Sequence, residues 1–308
     1  DEIFGDTLSF DEKGELCTLI YYPREKIELV GSRREDSPTW YKTMLDQLIM
    51  VARSLSSRYT RSKVRKAIPR DYAYIIDELL HTHPDENNYR VRYHERIVES
   101  ILETASADDF IESLASLIKR LAVDHLHLVG DIFDRGGGAA KIMDRLLTYH
   151  SLDIQWGNHD ILWMGAASGS EVCIAGVVRN SLRYKNTEVL EKGYAISLRP
   201  LTMYAQRIYP DENPLKASEK AISMIMFKLE GQLILRNPDF KMESRLQLQN
   251  VDYNASFYNL NGKRYELSSA YFPTVDPKNP YELTDEEKQI IGDLKSYFIE
   301  SERLQRHV

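Results

Sequence analysis

Cysteine is scarce: Cys17 and Cys173 are the only two in 308 residues. They cannot build a disulfide framework and form no Cys-x-x-Cys pair, so neither a disulfide-stapled domain nor a thiolate zinc site is expected; a reducing cytoplasm is the expected setting. Long apolar runs are missing as well. No stretch approaches the roughly 20 residues that a membrane-spanning helix needs, and no signal-peptide pattern is seen, so no membrane role is expected. Nor is there an excess of positive charge. Forty Lys and Arg stand against 47 Asp and Glu, a net charge of -7. That balance argues against wholesale nucleic-acid binding and still permits a local basic patch facing an anionic substrate. Low-complexity linkers and internal repeats are also absent, so the chain reads as one domain over 1–308. An initiator methionine is lacking too: Asp1 opens a stretch that reads like the inside of a protein, and a fragment or processed piece is expected.

What is present begins with helical periodicity. Trp40, Tyr41, Met44, Leu45, Leu48, Ile49, Ala52 and Leu55 recur at helical spacing, as do Tyr72, Ile75, Ile76, Leu79 and Leu80, then Phe110, Leu114, Leu117 and Leu121. Positions 1–123 therefore read as mainly helical. From 124 onward the texture becomes α/β. A strand is predicted over 126–129, a helix carries Ile142, Met143, Leu146 and Leu147 after a loop of Gly136, Gly137 and Gly138, and a second strand covers 152–156. Strand, helix and strand in this order suggest a βαβ unit, whose ligands collect at the strand ends. A helix over 221–229, alternation at Leu246 and Leu248, a hairpin turning at Asn261 and Gly262, and a capping box at Thr284 to Glu287 complete the pattern.

The residues that could carry chemistry sit just past the two strands, in Gly130-Asp131-Ile132-Phe133-Asp134-Arg135-Gly136 and Gly157-Asn158-His159-Asp160. A carboxylate at a strand end, such as Asp131, is costly unless a cation meets it. Asn158 offers an amide oxygen at the corresponding place on the second strand, and divalent metals such as Mn²⁺ accept both donors. Arg135 suits phosphate oxygens, and His159 can give a proton to a leaving oxygen. Each feature has a plainer reading: Gly-Asp is often only a turn, a lone loop histidine is more often structural, and Asp-Arg is often a surface ion pair of small value. The 27-position spacing of Asp131 and Asn158, which one βαβ crossover needs, favours the chemical reading of the set. Seven basic residues with no acidic one lie between 53 and 70 (Arg53, Arg58, Arg61, Lys63, Arg65, Lys66, Arg70). A solvated face is the plainer expectation there, and a surface for an anionic ligand or effector the alternative. His81 and His83, beside Pro84, read as an exposed loop rather than a metal site. The Met203-Tyr204 and Met224 to Met226 clusters read as core.

GDIFDRG followed by GNHD resembles the GDxxDRG and GNHE motifs of the phosphoprotein-phosphatase branch of calcineurin-like metallophosphatases. More specifically, TLIYYP, YTRSKVRKAIPRDYAYIIDELL, VDHLHLVGDIFDRG, DIQWGNHDILWMGAASG and FPTVDPKNPY are similar to class III fructose-1,6-bisphosphatases, the Firmicutes and Bacteroidetes type, over nearly the whole chain. The resemblance implies an α/β fold: an incomplete metallophosphatase αββα sandwich with a large N-terminal helical region (1–123), followed by a core part over 124–308 with a β-hairpin and C-terminal helix. It implies hydrolysis of fructose 1,6-bisphosphate to fructose 6-phosphate and phosphate, in gluconeogenesis, with two Mn²⁺ ions. Asp131 would bridge the metals and Asn158 ligate one. Arg135 would hold the scissile phosphate, and His159 would be the general acid, oriented by Asp134. Asp160 is given no more than a bracing role. The family's Asp-x-His-Gly motif is missing, and His307 is the only histidine after His159. An internal piece of a roughly twofold longer enzyme is therefore expected. Its alternatives are another phosphatase of the superfamily and a catalytically inert piece serving binding or homo-oligomerisation.

Overall fold

The computed structural model describes residues 2–31, 37–81, 87–260, 262–267 and 271–308. The chain divides into two compact units, Asp1–Leu126 and His127–Val308. The division falls close to the change of texture at 123/124, within what the sequence reads as one domain.

The first unit is helical. Its elements are α1 (Phe10–Tyr21), α2 (Pro23–Gly31), α3 (Ser37–Ser56), α4 (Arg61–Ala67), α5 (Ala73–His81), α6 (Asn87–Glu103) and α7 (Ala107–Ala122). Helix α7 is its centre, because Phe110, Ile111, Leu114, Leu117, Ile118 and Leu121 cover more than one face and all are buried. It opens on Asp108 and Asp109 and closes on Lys119 and Arg120, charges that complement the helix dipole. Around it pack α1, α2, α3, α4 and α6. Ser9 starts α1 with a capping box: its hydroxyl accepts from Glu12 N–H, and the Glu12 carboxylate accepts from Ser9 N–H. Two long side chains close helix ends elsewhere. Tyr59 Oη donates to Leu121 O at 2.8 Å, and Arg53 Nε donates to Leu79 O at 2.8 Å.

The basic run is largely tied down within this unit. Besides Arg53, Arg58 meets Glu2, Lys63 meets Asp124 and Arg65 meets Asp77. Arg61, Lys66 and Arg70 are exposed. This is the pattern of a solvated face. His81 ends α5 and lies 3.4 Å from Asp77; His83 and Pro84 lie outside the described residues.

The second unit carries the strands. β1 (Leu126–Leu128) and β2 (Leu152–Ile154) form a two-stranded sheet on either side, in sequence, of α8 (Ala139–Leu146). Both strands are shorter than predicted. Past β2 come α9 (Asn158–Ala167), α10 (Glu171–Arg183), a π-helical turn over Val189–Gly193, α11 (Arg199–Ile208) and α12 (Pro214–Arg236). Three antiparallel strands follow: β3 (Val251–Asp252), β4 (Phe257–Leu260) and β5 (Lys263–Glu266), with Leu260 opposite Lys263. That register fits the predicted two-residue turn and places Gly262 at φ 77°, while Asn261 lies outside the described residues. The unit closes with α13 (Asp285–Glu300) and α14 (Glu302–His307).

The core of the second unit is α10, which packs on α9, α12 and α13 and buries Ile174, Ala175, Val177, Val178 and Leu182. Helix α12 is buried on most of its circumference and includes a buried lysine, Lys228. Its ammonium meets Glu287 Oε2 at 2.6 Å and donates to Thr274 O at 2.5 Å. Glu287 is also the last residue of the predicted capping box: it accepts Thr284 N–H at 2.8 Å.

Among the described residues the result is a helix-dominated α/β structure with two small sheets. Two local expectations are corrected. Leu246 and Leu248 are not in a strand; they lie in or beside short 3-10 turns, and both are buried, so their spacing of two arose from turns packing on α12. Met203 is exposed on α11 while its neighbour Tyr204 is the buried member of the pair.

Candidate active site

The two predicted segments come together at the ends of β1 and β2. Past β1 the backbone turns through two successive positive φ values, Gly130 at 94° and Asp131 at 55°. Glycine adopts this region freely, and aspartate tolerates it better than most residues. A Cβ on Gly130 would stand 2.4 Å from Gly157 N, and one on Gly157 would stand 2.2 Å from Asp131 Oδ1. Both glycines are needed for the backbones to approach this closely.

Asp160 joins the segments. It is wholly buried. Its Oδ2 accepts Asp131 N–H at 2.6 Å and Gly157 N–H at 2.9 Å, and its Oδ1 accepts Phe133 N–H at 3.0 Å. Three backbone donors satisfy a buried carboxylate that would otherwise be costly. Asn158, His159 and Asp160 are not in a loop, as the sequence suggests, but in the first turn of α9. The free amides of that turn explain the next contact: His159 N–H donates to Asp131 Oδ1 at 3.2 Å.

Asp134 sits between Arg135 and His159. Its Oδ1 lies 3.1 Å from His159 Nε2 and 3.4 Å from Arg135 Nε. That oxygen accepts no well-angled hydrogen bond. The Arg135 guanidinium lies over the Tyr184 ring, 4.5 Å from its centroid. Asp131, Asp134, Arg135 and His159 are thus brought together. Asn158 is their exposed neighbour in the same turn.

Whether these residues fit a metal pair follows from the donors. Among the described residues no three His, Cys, Asp or Glu side chains are grouped as a metal cage. Asp131 supplies one carboxylate, an oxygen of which already accepts His159 N–H. Asn158 supplies one amide oxygen. Two such donors do not enclose two divalent ions that take about six ligands each. The donor set present does not fit a complete two-metal centre.

Several supporting residues have no role in the sequence reading. Phe133, one of two adjacent apolar residues in an otherwise polar loop, is buried against Trp163 and Tyr194, and Trp163 in turn meets Phe298. An apolar side chain between two aspartates is the signal that could have marked it as an anchor. Behind this aromatic wall His307 is buried. Its Nδ1 is 3.1 Å from Tyr194 Oη and its Nε2 is 3.0 Å from Asp144 Oδ1. Arg303 also pairs with Asp144. Burial lowers the pKa of His307 despite the carboxylate, and burial raises that of the Tyr194 phenol. The one histidine after His159 therefore serves the core and not the candidate site. No helix among the described residues is long and apolar enough to cross a membrane.

Comparison with known proteins agrees with the motif reading. The family described as Firmicute fructose-1,6-bisphosphatase matches residues 1–308. Among curated relatives, a class 3 fructose-1,6-bisphosphatase of Clostridium beijerinckii is 49% identical, covering 100% of this chain and 49% of the relative. One of Listeria monocytogenes is 48% identical, covering 100% and 50%. One of Bacteroides thetaiotaomicron is 47% identical, covering 100% and 49%. The chain thus spans about half the length of the curated relatives it matches. No solved structure matches it. With loops, spacing and whole-chain similarity in agreement, the chain belongs to the Firmicute fructose-1,6-bisphosphatase family.

Proposed function

We propose that this chain carries the phosphate-handling part of a fructose-1,6-bisphosphatase that acts in gluconeogenesis in the cytoplasm. The observation that carries the proposal is the cluster of Arg135, Asp134 and His159 around one carboxylate oxygen, on loops pinned by Asp160. Arg135 holds the scissile phosphate through its guanidinium donors. Water adds to phosphorus and releases one proton to solvent, the bond from phosphorus to the sugar oxygen breaks, and the leaving oxygen takes a proton from His159, which solvent then reprotonates. With Nε2 turned to Asp134, Nδ1 is the ring nitrogen left to deliver that proton. The manganese pair implied by the resemblance belongs to a complete centre to which this chain contributes Asp131 and Asn158, with further ligands supplied from outside it. The same proposal includes the metallophosphatase sandwich, to which β1 and β2 contribute, and assembly of copies into a homo-oligomer.

The test is phosphate release from fructose 1,6-bisphosphate in the presence of Mn²⁺, by an enzyme that contains this chain. His159→Ala lowers kcat by about 10²–10⁴-fold, the usual size of a general acid contribution. Arg135→Ala raises KM and lowers kcat together. Wild-type turnover in His159→Ala would remove the general-acid role. No turnover in any form would favour the rival reading of an inert binding piece.

A further inference from the structure

The segment that follows α10 has no part in the motif reading, yet it touches the candidate phosphate residue twice. We propose that Tyr184 and Asn186 are positioning residues for Arg135, a proposal that rests on the phosphate-holding reading of that arginine.

Arg135 needs positioning because its side chain is 60% exposed. An exposed arginine samples many rotamers, and a phosphate clamp needs one of them. Three groups restrain it. The Tyr184 ring lies against the guanidinium, Asp134 lies at its Nε edge, and Asn186 grips the backbone. Asn186 Nδ2 donates to Arg135 O and Gly136 O, both at 3.1 Å. The face contact matters chemically. A ring under the guanidinium uses none of its N–H donors, whereas a bidentate carboxylate would use two. The two terminal nitrogens make no hydrogen bond among the described residues, so they stay available to phosphate oxygens.

The clamp is fixed by its own backbone. Lys185 N–H donates to Leu182 O at 3.1 Å and Asn186 N–H to Ser181 O at 2.7 Å, with Lys185 at φ 56°. This is the closure that commonly ends a helix, here with lysine where glycine is usual. It sets Tyr184 and Asn186 on a rigid helix end rather than on a free loop. Tyr184 is itself 43% exposed. Its packing contributes little to the core, so a role in stability alone does not account for it.

The test uses the full 308-residue chain, labelled with ¹⁵N, and inorganic phosphate as the probe. Relaxation of the Arg135 Nε–H group reports its order, and titration reports the phosphate Kd. Wild type and Tyr184→Phe show an ordered group and matching Kd. Tyr184→Leu and Asn186→Ala show a mobile group and a Kd weakened about three- to tenfold, with unchanged unfolding midpoints. Wild-type order and Kd in Tyr184→Leu, while Arg135→Ala abolishes binding, would overturn the positioning role and leave the reading of Arg135 standing. If Arg135→Ala binds as the wild type does, or the wild type shows no saturable binding, that reading falls and the positioning role with it.

Discussion

Asp160→Asn replaces one oxygen by an amide and changes almost nothing in shape, so it isolates the electrostatics of the loop brace. Three N–H groups point at the carboxylate, two at Oδ2 and one at Oδ1. The least harmful placement keeps the Asn oxygen where Oδ2 is, serving Asp131 and Gly157. The new NH₂ then faces Phe133 N–H, donor against donor, in a wholly buried place. One charge-assisted bond, about 1.5–3 kcal/mol, is lost and a buried donor is left unmet, while two further bonds weaken with the loss of charge. The expected destabilisation of the second unit is about 2–4 kcal/mol. Urea unfolding would be followed by tryptophan fluorescence in a Trp40→Phe background, which leaves Trp156 and Trp163, both in the second unit. With a slope of about 2 kcal/mol per molar urea, the midpoint falls by about 1–2 M. A shift below about 0.3 M would show that the three contacts are not what holds the loops, and the reasoning would fail.

Two other predictions concern the core of the second unit. Lys228→Met leaves Glu287 charged and buried and costs about 3–5 kcal/mol, whereas Lys228→Met with Glu287→Gln costs less than either change alone; additive losses in a double-mutant cycle would refute the coupling. The lowered pKa of His307 means that the unfolded chain takes up protons first as pH falls below the ordinary value of 6.5. Stability is therefore fully present above 6.5 and declines as pH drops toward and through the folded value. Asp144 on α8, Arg303 and Arg306 on its own helix, and Tyr194 all face or surround the ring, and burial outweighs the favourable pairing with Asp144. His307→Gln should flatten unfolding midpoints between about pH 7 and 5; an unchanged slope would assign the decline to other groups.

How much of this was legible depends on how local the signal is. The capping box at Thr284 is a four-residue pattern and formed as read. The two short strands, which stop before Gly130 and Gly157, are also short-range patterns, although the second segment proved to be a helix start and not a loop. Helix α12 was recognised only over 221–229, because a helix buried on most sides shows no clean apolar stripe, although Asn213 and Pro214 marked its start. Asp160, Tyr184 and Asn186 depend on partners 27 to 51 positions away, which no local period reveals. Lys228 was hidden for the opposite reason. A lysine in a helix reads as surface, and only the folded chain shows that Glu287 and Thr274 enclose it.

The left-handed backbone at Asp131 has a thermodynamic consequence. Its carboxylate does not wait for a ligand to be ordered: the φ of 55°, the N–H held by Asp160 and the oxygen held by His159 N–H fix it in the resting chain. The conformational entropy that a flexible side chain would surrender on binding is surrendered once, during folding. Affinity for whatever meets Asp131 is therefore coupled to the folding equilibrium of the second unit. A change deep in the core that loosens this unit would weaken binding without touching a single residue of the site.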